Sequence, residues 1–150
     1  MKDKTISVTT QELWARLFHA PTIDRYLADN SGSCEFPSFS DYITEMCKNK
    51  GEKPEQILKR SNIESSFGHR LFSGMRKPSR DTVLQLAFGF ELTTDETQQL
   101  LRAAQAVALH PKVKRDAVIA FYLHKGKTIV EVQQALYDSQ LPLIGGSRNE

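Results

Sequence analysis

The chain has 150 residues, 39% hydrophobic and 25% charged, with a formal net charge of +2. That is enough apolar material for one core of ordinary size, or a small domain with extensions. No run approaches the roughly 18 consecutive apolar residues of a membrane span, and the N-terminus lacks a basic-then-apolar leader, so a cytoplasmic protein with no membrane partner is expected.

In chain order, Thr9-x-x-Glu12 is a capping box that opens a helix carrying Leu13, Trp14, Leu17 and Phe18 at helical spacing. Pro21 ends it, and Ile23, Tyr26 and Leu27 form a second short apolar stripe before a loop over residues 29–33. This N-terminal helical extension, residues 1–37, can cover a core, pair two subunits or receive a protein partner, and core cover is the commonest fate of an aromatic stripe. Ser38-x-x-Asp41 opens the next helix, with Tyr42, Ile43, Met46 and Cys47 inward and Gly51 past its end. Cys34 and Cys47 lack the spacing of a metal site and are expected as reduced thiols, Cys34 exposed in a polar loop and Cys47 in the core.

Two short helices follow, Pro54 to Ser61 and Ser65 to Ser73. Proline is tolerated in the opening turn, Asn62 suits the left-handed residue that ends the first helix, and Gly74 stops the second. Ile57, Leu58, Ile63, Phe67 and Leu71 can face one core, which leaves Ser65, Ser66, His69 and Arg70 outward. A polar-faced second helix held across a first is the arrangement that enters a DNA major groove.

On Ile57-Leu58, Asn62-Ile63, Leu71 and the run Gly74-Met75-Arg76-Lys77-Pro78-Ser79, the stretch from about residue 38 to 92 resembles the helix-turn-helix of the Cro and phage-repressor family, the XRE type. The resemblance implies a five-helix, lambda-repressor-like unit over residues 38–110. It implies double-stranded DNA as partner, bases contacted by Ser65, Ser66, His69 and Arg70, and phosphates by Arg76, Lys77 and Arg80, with Lys53 and Lys59 in second rank. Pro54 stands where the family has a phosphate-gripping Gln, which removes one backbone contact. Leu58 stands where the family has Ala, and a wider helix spacing is expected from it.

The charge distribution agrees with a polyanion-binding face. Residues 48–80 carry nine basic side chains against three acidic ones, while the segments on either side are net negative. Glu64 lies at the start of the second helix, where it favours the dipole but approaches incoming phosphates. It either accepts from cytosine or weakens non-specific binding.

Ser79 caps a helix from Arg80 to about Phe88 that buries Val83, Leu84, Ala87 and Phe88. Thr93-x-x-Glu96 opens another, with Leu100, Leu101, Ala104, Val107 and Ala108 on one face. His110-Pro111 then breaks the chain. A helix from near Pro111, with Val113, Ala117, Ala120, Phe121 and His124 at helical spacing, and a last one capped by Thr128 and bearing Val132, Ala135 and Leu136, form a C-terminal hairpin. Residues 111–150 comprise this hairpin, the apolar extension Leu141-Pro142-Leu143-Ile144 and a polar tail. The hairpin packs either on the repressor-like unit or on its counterpart in a second subunit. The fold class is all-α.

No His, Cys or carboxylate set has catalytic or metal-ligand spacing, and no cofactor motif is present, so a non-enzyme without cofactor is expected. A sequence-specific DNA-binding transcriptional regulator, most simply a homodimer, is the expected function. The rival is a protein–protein adaptor that keeps the fold without binding DNA.

Overall fold

Each helix start that the sequence marks with a capping residue begins at that residue. The computed structural model describes residues 9–33 and 38–145 and divides the chain into two units, Met1–Phe36 and Pro37–Glu150. The expectations for residues 1–8, for Cys34 and for the polar tail beyond Gly145 lie outside the described residues. Among the described residues every regular element is helical, and no helix is long and apolar enough to cross a membrane.

In the first unit, α1 (Thr10–His19) starts from the Thr9–Glu12 capping box and α2 (Ile23–Asp29) from Thr22. Asn30 is buried at the end of α2, where it accepts from Arg16 Nη1 at 2.7 Å and donates to the Tyr26 carbonyl at 2.9 Å. A 3-10 turn, Ser31–Ser33, takes part of the expected loop. Neither helix buries an apolar residue. Trp14 and Phe18 stack at 5.5 Å between ring centroids, and both are exposed.

The second unit contains α3 (Phe39–Lys50), α4 (Pro54–Ser61), α5 (Ser65–Ser73), α6 (Arg80–Gly89), α7 (Thr94–Ala103), α8 (Lys114–His124) and α9 (Ile129–Asp138). Its core runs from Ile43 and Cys47 through Ile57, Leu58, Leu71 and the α6 residues Val83, Leu84, Leu86 and Ala87. It continues without a break to Ile119, Leu123, Val132, Leu136 and Ile144. The C-terminal hairpin therefore packs back on helices α3 to α7 and shares their core.

Two glycines let the central helices approach. Gly68 in α5 faces Leu58 of α4 so closely that a Cβ there would overlap both Leu58 methyls. The larger residue at 58 is thus accommodated across the interface by the smallest one, where the sequence suggested a wider spacing. Gly89 in α6 lies against the Ile57 carbonyl and Ser61, and Ser61 Oγ donates to that same carbonyl at 2.7 Å. Ser61 is buried with its hydroxyl satisfied, so its polarity costs little.

Three expectations change after α6. The helix α7 stops at Ala103, and Gln105 takes a left-handed φ of 57°, so Val107 and Ala108 leave the helix and become exposed. Gln98 fixes the following strand of chain by donating to the Leu109 carbonyl and accepting from its N–H, at 2.9 and 2.8 Å. Next, α8 begins at Lys114 and not near Pro111. Finally, α8 buries Asp116, Ile119 and Leu123, while Val113, Phe121 and His124 are exposed. The helix is rotated from the expected face: Ile119 and Leu123 take the core positions, and Asp116 on the same side meets the Arg80 guanidinium.

The C-terminal segment is fastened by charge and amide groups. Arg115 Nη1 and Nη2 donate to Asp81 Oδ1 and Oδ2 at 3.1 and 3.0 Å, and the same guanidinium reaches the Pro142 and Leu143 carbonyls at 2.9 Å each. Gly145 N–H donates to Asp81 at 2.7 Å, and Gln133 pairs with both backbone groups of Ile144. Burial pushes the Asp81 carboxyl upward, but the Arg115 hydrogen bonds and the Gly145 N–H outweigh it and hold it below its ordinary value. A depressed carboxyl stabilises the fold above its unfolded value of 3.8, and that stabilisation is lost as pH falls through the lower folded value. Acid titration of the wild type should therefore show a stability loss below about pH 4 that is smaller in Asp81→Asn, a variant already less stable at neutral pH. Equal acid sensitivity in the two proteins would contradict this role of Asp81.

Candidate nucleic-acid interface

The site is built on α4 and α5. Pro54 occupies the first turn of α4, whose N–H groups have no helical partner, and the Gln56 side chain accepts from the Lys53 N–H at 2.9 Å. Asn62 ends α4 in the left-handed region, φ 58°, and its N–H closes on the Leu58 and Lys59 carbonyls. Ile63 N–H then bonds to the Leu58 carbonyl at 3.0 Å, and α5 starts two residues later. Gly74, φ 86°, ends α5 in the same way, closing on Arg70 and Leu71. Leu71 is buried and Phe67 half-buried, which fixes the face that α5 turns inward.

The opposite face carries Ser65, Ser66, His69 and Arg70, all exposed. His69 Nε2 lies 3.6 Å from Glu55 Oε2 on α4, an ion pair only when the imidazole is protonated. Ser66 Oγ donates to Glu64 Oε1 at 3.1 Å, which leaves its lone pairs for an incoming donor.

Glu64 is the N-cap of α5. Its carboxylate accepts from Phe67 N–H at 2.9 Å and Ser66 N–H at 3.1 Å, and these bonds, the Phe67 one first, hold its pKa below the ordinary Glu value. The sequence shows an acid at this position, but the chain geometry that makes it the cap appears only in the fold.

The basic residues of this region divide into two groups. Lys53, Lys59, Arg70, Arg76 and Lys77 are exposed, and among the described residues none of them forms an ion pair. Arg76 lies with its guanidinium carbon 5.2 Å from the centroid of the Phe67 ring, a cation–π contact that steadies it beside α5. This role of Phe67 has no signature in the sequence, where it reads only as a core residue.

Arg60 and Arg80 form the second group. Arg60 Nη2 contacts Glu52 Oε1 at 2.7 Å and its Nε donates to the Gly89 carbonyl at 2.9 Å, with Glu91 3.7 Å away. Arg80, expected at the phosphates, turns its guanidinium inward. Nε donates to the Val107 carbonyl at 2.8 Å, and Nη2 donates to Ala108 O at 3.2 Å and Asp116 Oδ2 at 2.9 Å. Asp116 also accepts from His110 N–H at 3.0 Å. The first residue after the Ser79 cap is thereby spent on joining α6 to α8. It does not belong with Arg76 and Lys77.

Among the described residues no group of three or more His, Cys, Asp and Glu side chains could hold a metal ion. Cys47 is buried, and burial followed by the nearby Glu52 raises its thiol pKa, which keeps it protonated and unreactive. Comparison of the chain with family models, with curated proteins and with solved structures gave no match.

Proposed function

We propose that the chain is a sequence-specific DNA-binding transcriptional regulator of the XRE helix-turn-helix type, reading the major groove with the helix Ser65–Ser73. The observation that carries this reading is the outward face of α5. Four polar, exposed side chains on one short helix are followed within seven residues by two exposed cations, Arg76 and Lys77, on the loop that leaves it. Base edges meet Ser65, Ser66, His69 and Arg70. Phosphates meet Arg76 and Lys77, with Lys53 and Lys59 behind them, and each phosphate contact orients the protein without specifying sequence. Arg80 is left out of this set because its Nε and Nη2 are engaged within the molecule. A homodimer on a two-fold operator, with half-sites about one helical turn apart, is the simplest assembly of such a unit.

The second reading, an adaptor that binds protein and not DNA, is favoured by one observation. Trp14, Phe18, Ile23 and Leu27 of the N-terminal unit are all about half-exposed or more. Fluorescence anisotropy of labelled duplex DNA across a range of salt separates the two. The regulator binds with an affinity that falls steeply as salt rises. The adaptor leaves the signal flat at every salt concentration.

A further inference from the structure

We infer that Glu64 is a base-reading residue whose carboxylate, clamped on the first turn of α5, selects a base with an exocyclic amine, cytosine or adenine, at one major-groove position. This rests on the DNA reading above and adds to it the chemistry of one recognised position.

The clamp determines what the carboxylate can still do. Oε1 accepts from Phe67 N–H at 2.9 Å and from Ser66 Oγ at 3.1 Å, which fills both of its acceptor directions. Oε2 accepts only from Ser66 N–H, at 3.1 Å, and keeps one direction open. Glu64 is exposed, and no Lys or Arg among the described residues forms an ion pair with it, although Arg70 is near enough to be felt electrostatically.

Recognition helices contact base edges with their N-terminal residues, which is where this open acceptor stands. In the major groove cytosine and adenine present an amine donor where guanine and thymine present O6 and O4 acceptors. A carboxylate has no hydrogen to offer, so it bonds to the first two and is repelled by the others. Because the side chain is already held by two backbone N–H groups, little further freedom is lost when the base arrives. Neighbouring Ser65 can donate or accept and so discriminates weakly, while Ser66 gives its hydroxyl hydrogen to Glu64 and offers a base only uncharged lone pairs. The fixed acid is therefore the sharper reader on this face.

The experiment uses the full chain. A duplex enriched by the wild type from a random pool is varied through all four base pairs at each half-site position. Affinities are then measured for wild type, Glu64→Gln and Glu64→Ser, with circular dichroism melts to establish that each variant is folded. Wild type should favour cytosine or adenine at one position by about tenfold over guanine or thymine, a typical value for one good base contact. Gln, which both donates and accepts, should admit guanine and thymine there. Ser keeps a capping oxygen without the charge and should flatten the same position, leaving the others unchanged. A uniform rise in affinity on every duplex would show that Glu64 only repels phosphate, and an unchanged profile would show that it only caps. Either result overturns the inference while DNA binding stands. Failure of the wild type to bind or enrich any duplex overturns the DNA reading itself, and the inference with it.

Discussion

Replacing Arg80 with alanine should lower stability by about 3 kcal/mol and leave the salt dependence of DNA binding unchanged. Asp116 is 4% exposed, and its carboxylate accepts from the Arg80 guanidinium and the His110 N–H. Removing the arginine strands a charge in the interior, which is far more costly than losing an exposed ion pair. It also frees the Val107 and Ala108 carbonyls, which now accept from the same side chain. A fall of about 10 °C in Tm is the expected scale for a chain of this size. Because the loss comes from an orphaned partner, Arg80→Ala combined with Asp116→Ala should cost less than the two single changes added together. An Arg80→Ala protein that melts like the wild type, with a salt slope shallower by about one unit, would instead place Arg80 on the DNA backbone.

Gly89→Ala should be comparably damaging, by about 3 kcal/mol, through crowding and not charge. A Cβ at residue 89 would stand 2.6 Å from the Ile57 carbonyl oxygen and 3.0 Å from Ser61 Cβ, and would overlap Ser61 Oγ. A backbone carbonyl inside α4 cannot step aside, so α4 and α6 must separate, and the Arg60 bond to the Gly89 carbonyl stretches with them. In Gly68→Ala the atoms nearest the new Cβ are Leu58 side-chain carbons, which can shift by rotamer where a backbone carbonyl cannot, and it should cost less. Chemical denaturation of the two variants gives the ordering directly. Gly68→Ala as the more destabilised of the pair would contradict this account of the helix approaches.

The local grammar of the chain was largely readable. Thr9, Ser38, Ser79, Thr93 and Thr128 cap helices as their spacing suggests, and Asn62 and Gly74 turn left-handed at the ends of α4 and α5. These signals depend on contacts within three or four residues. The outward face of α5 was legible for the same reason, since Leu71 and Phe67 fix its inward side. What could not be read depends on partners far away in sequence. Asp116 looks like a surface acid until Arg80, 36 residues earlier, is brought against it, and it shares the buried face of α8 with Ile119 and Leu123, leaving Val113 and Phe121 outside. Arg80 looks like a phosphate ligand for the complementary reason. The early end of α7 hides similarly, because Gln105 gives little sign of a left-handed turn. In the candidate site, the cap formed by Glu64 and the ring beneath Arg76 likewise require the folded turn between α5 and its neighbours.

If α5 and the loop after it form a DNA-binding face, a salt titration of duplex binding by wild type and by Arg76→Ala/Lys77→Ala will register it. Each phosphate contact contributes about 0.9 to the slope of log affinity against log salt. Wild type should show a steep negative slope, and the variant should bind all sequences more weakly, with a slope shallower by about one unit per contact removed. Superimposable titrations of the two proteins, or no salt-dependent binding by either, would contradict a DNA-binding face there.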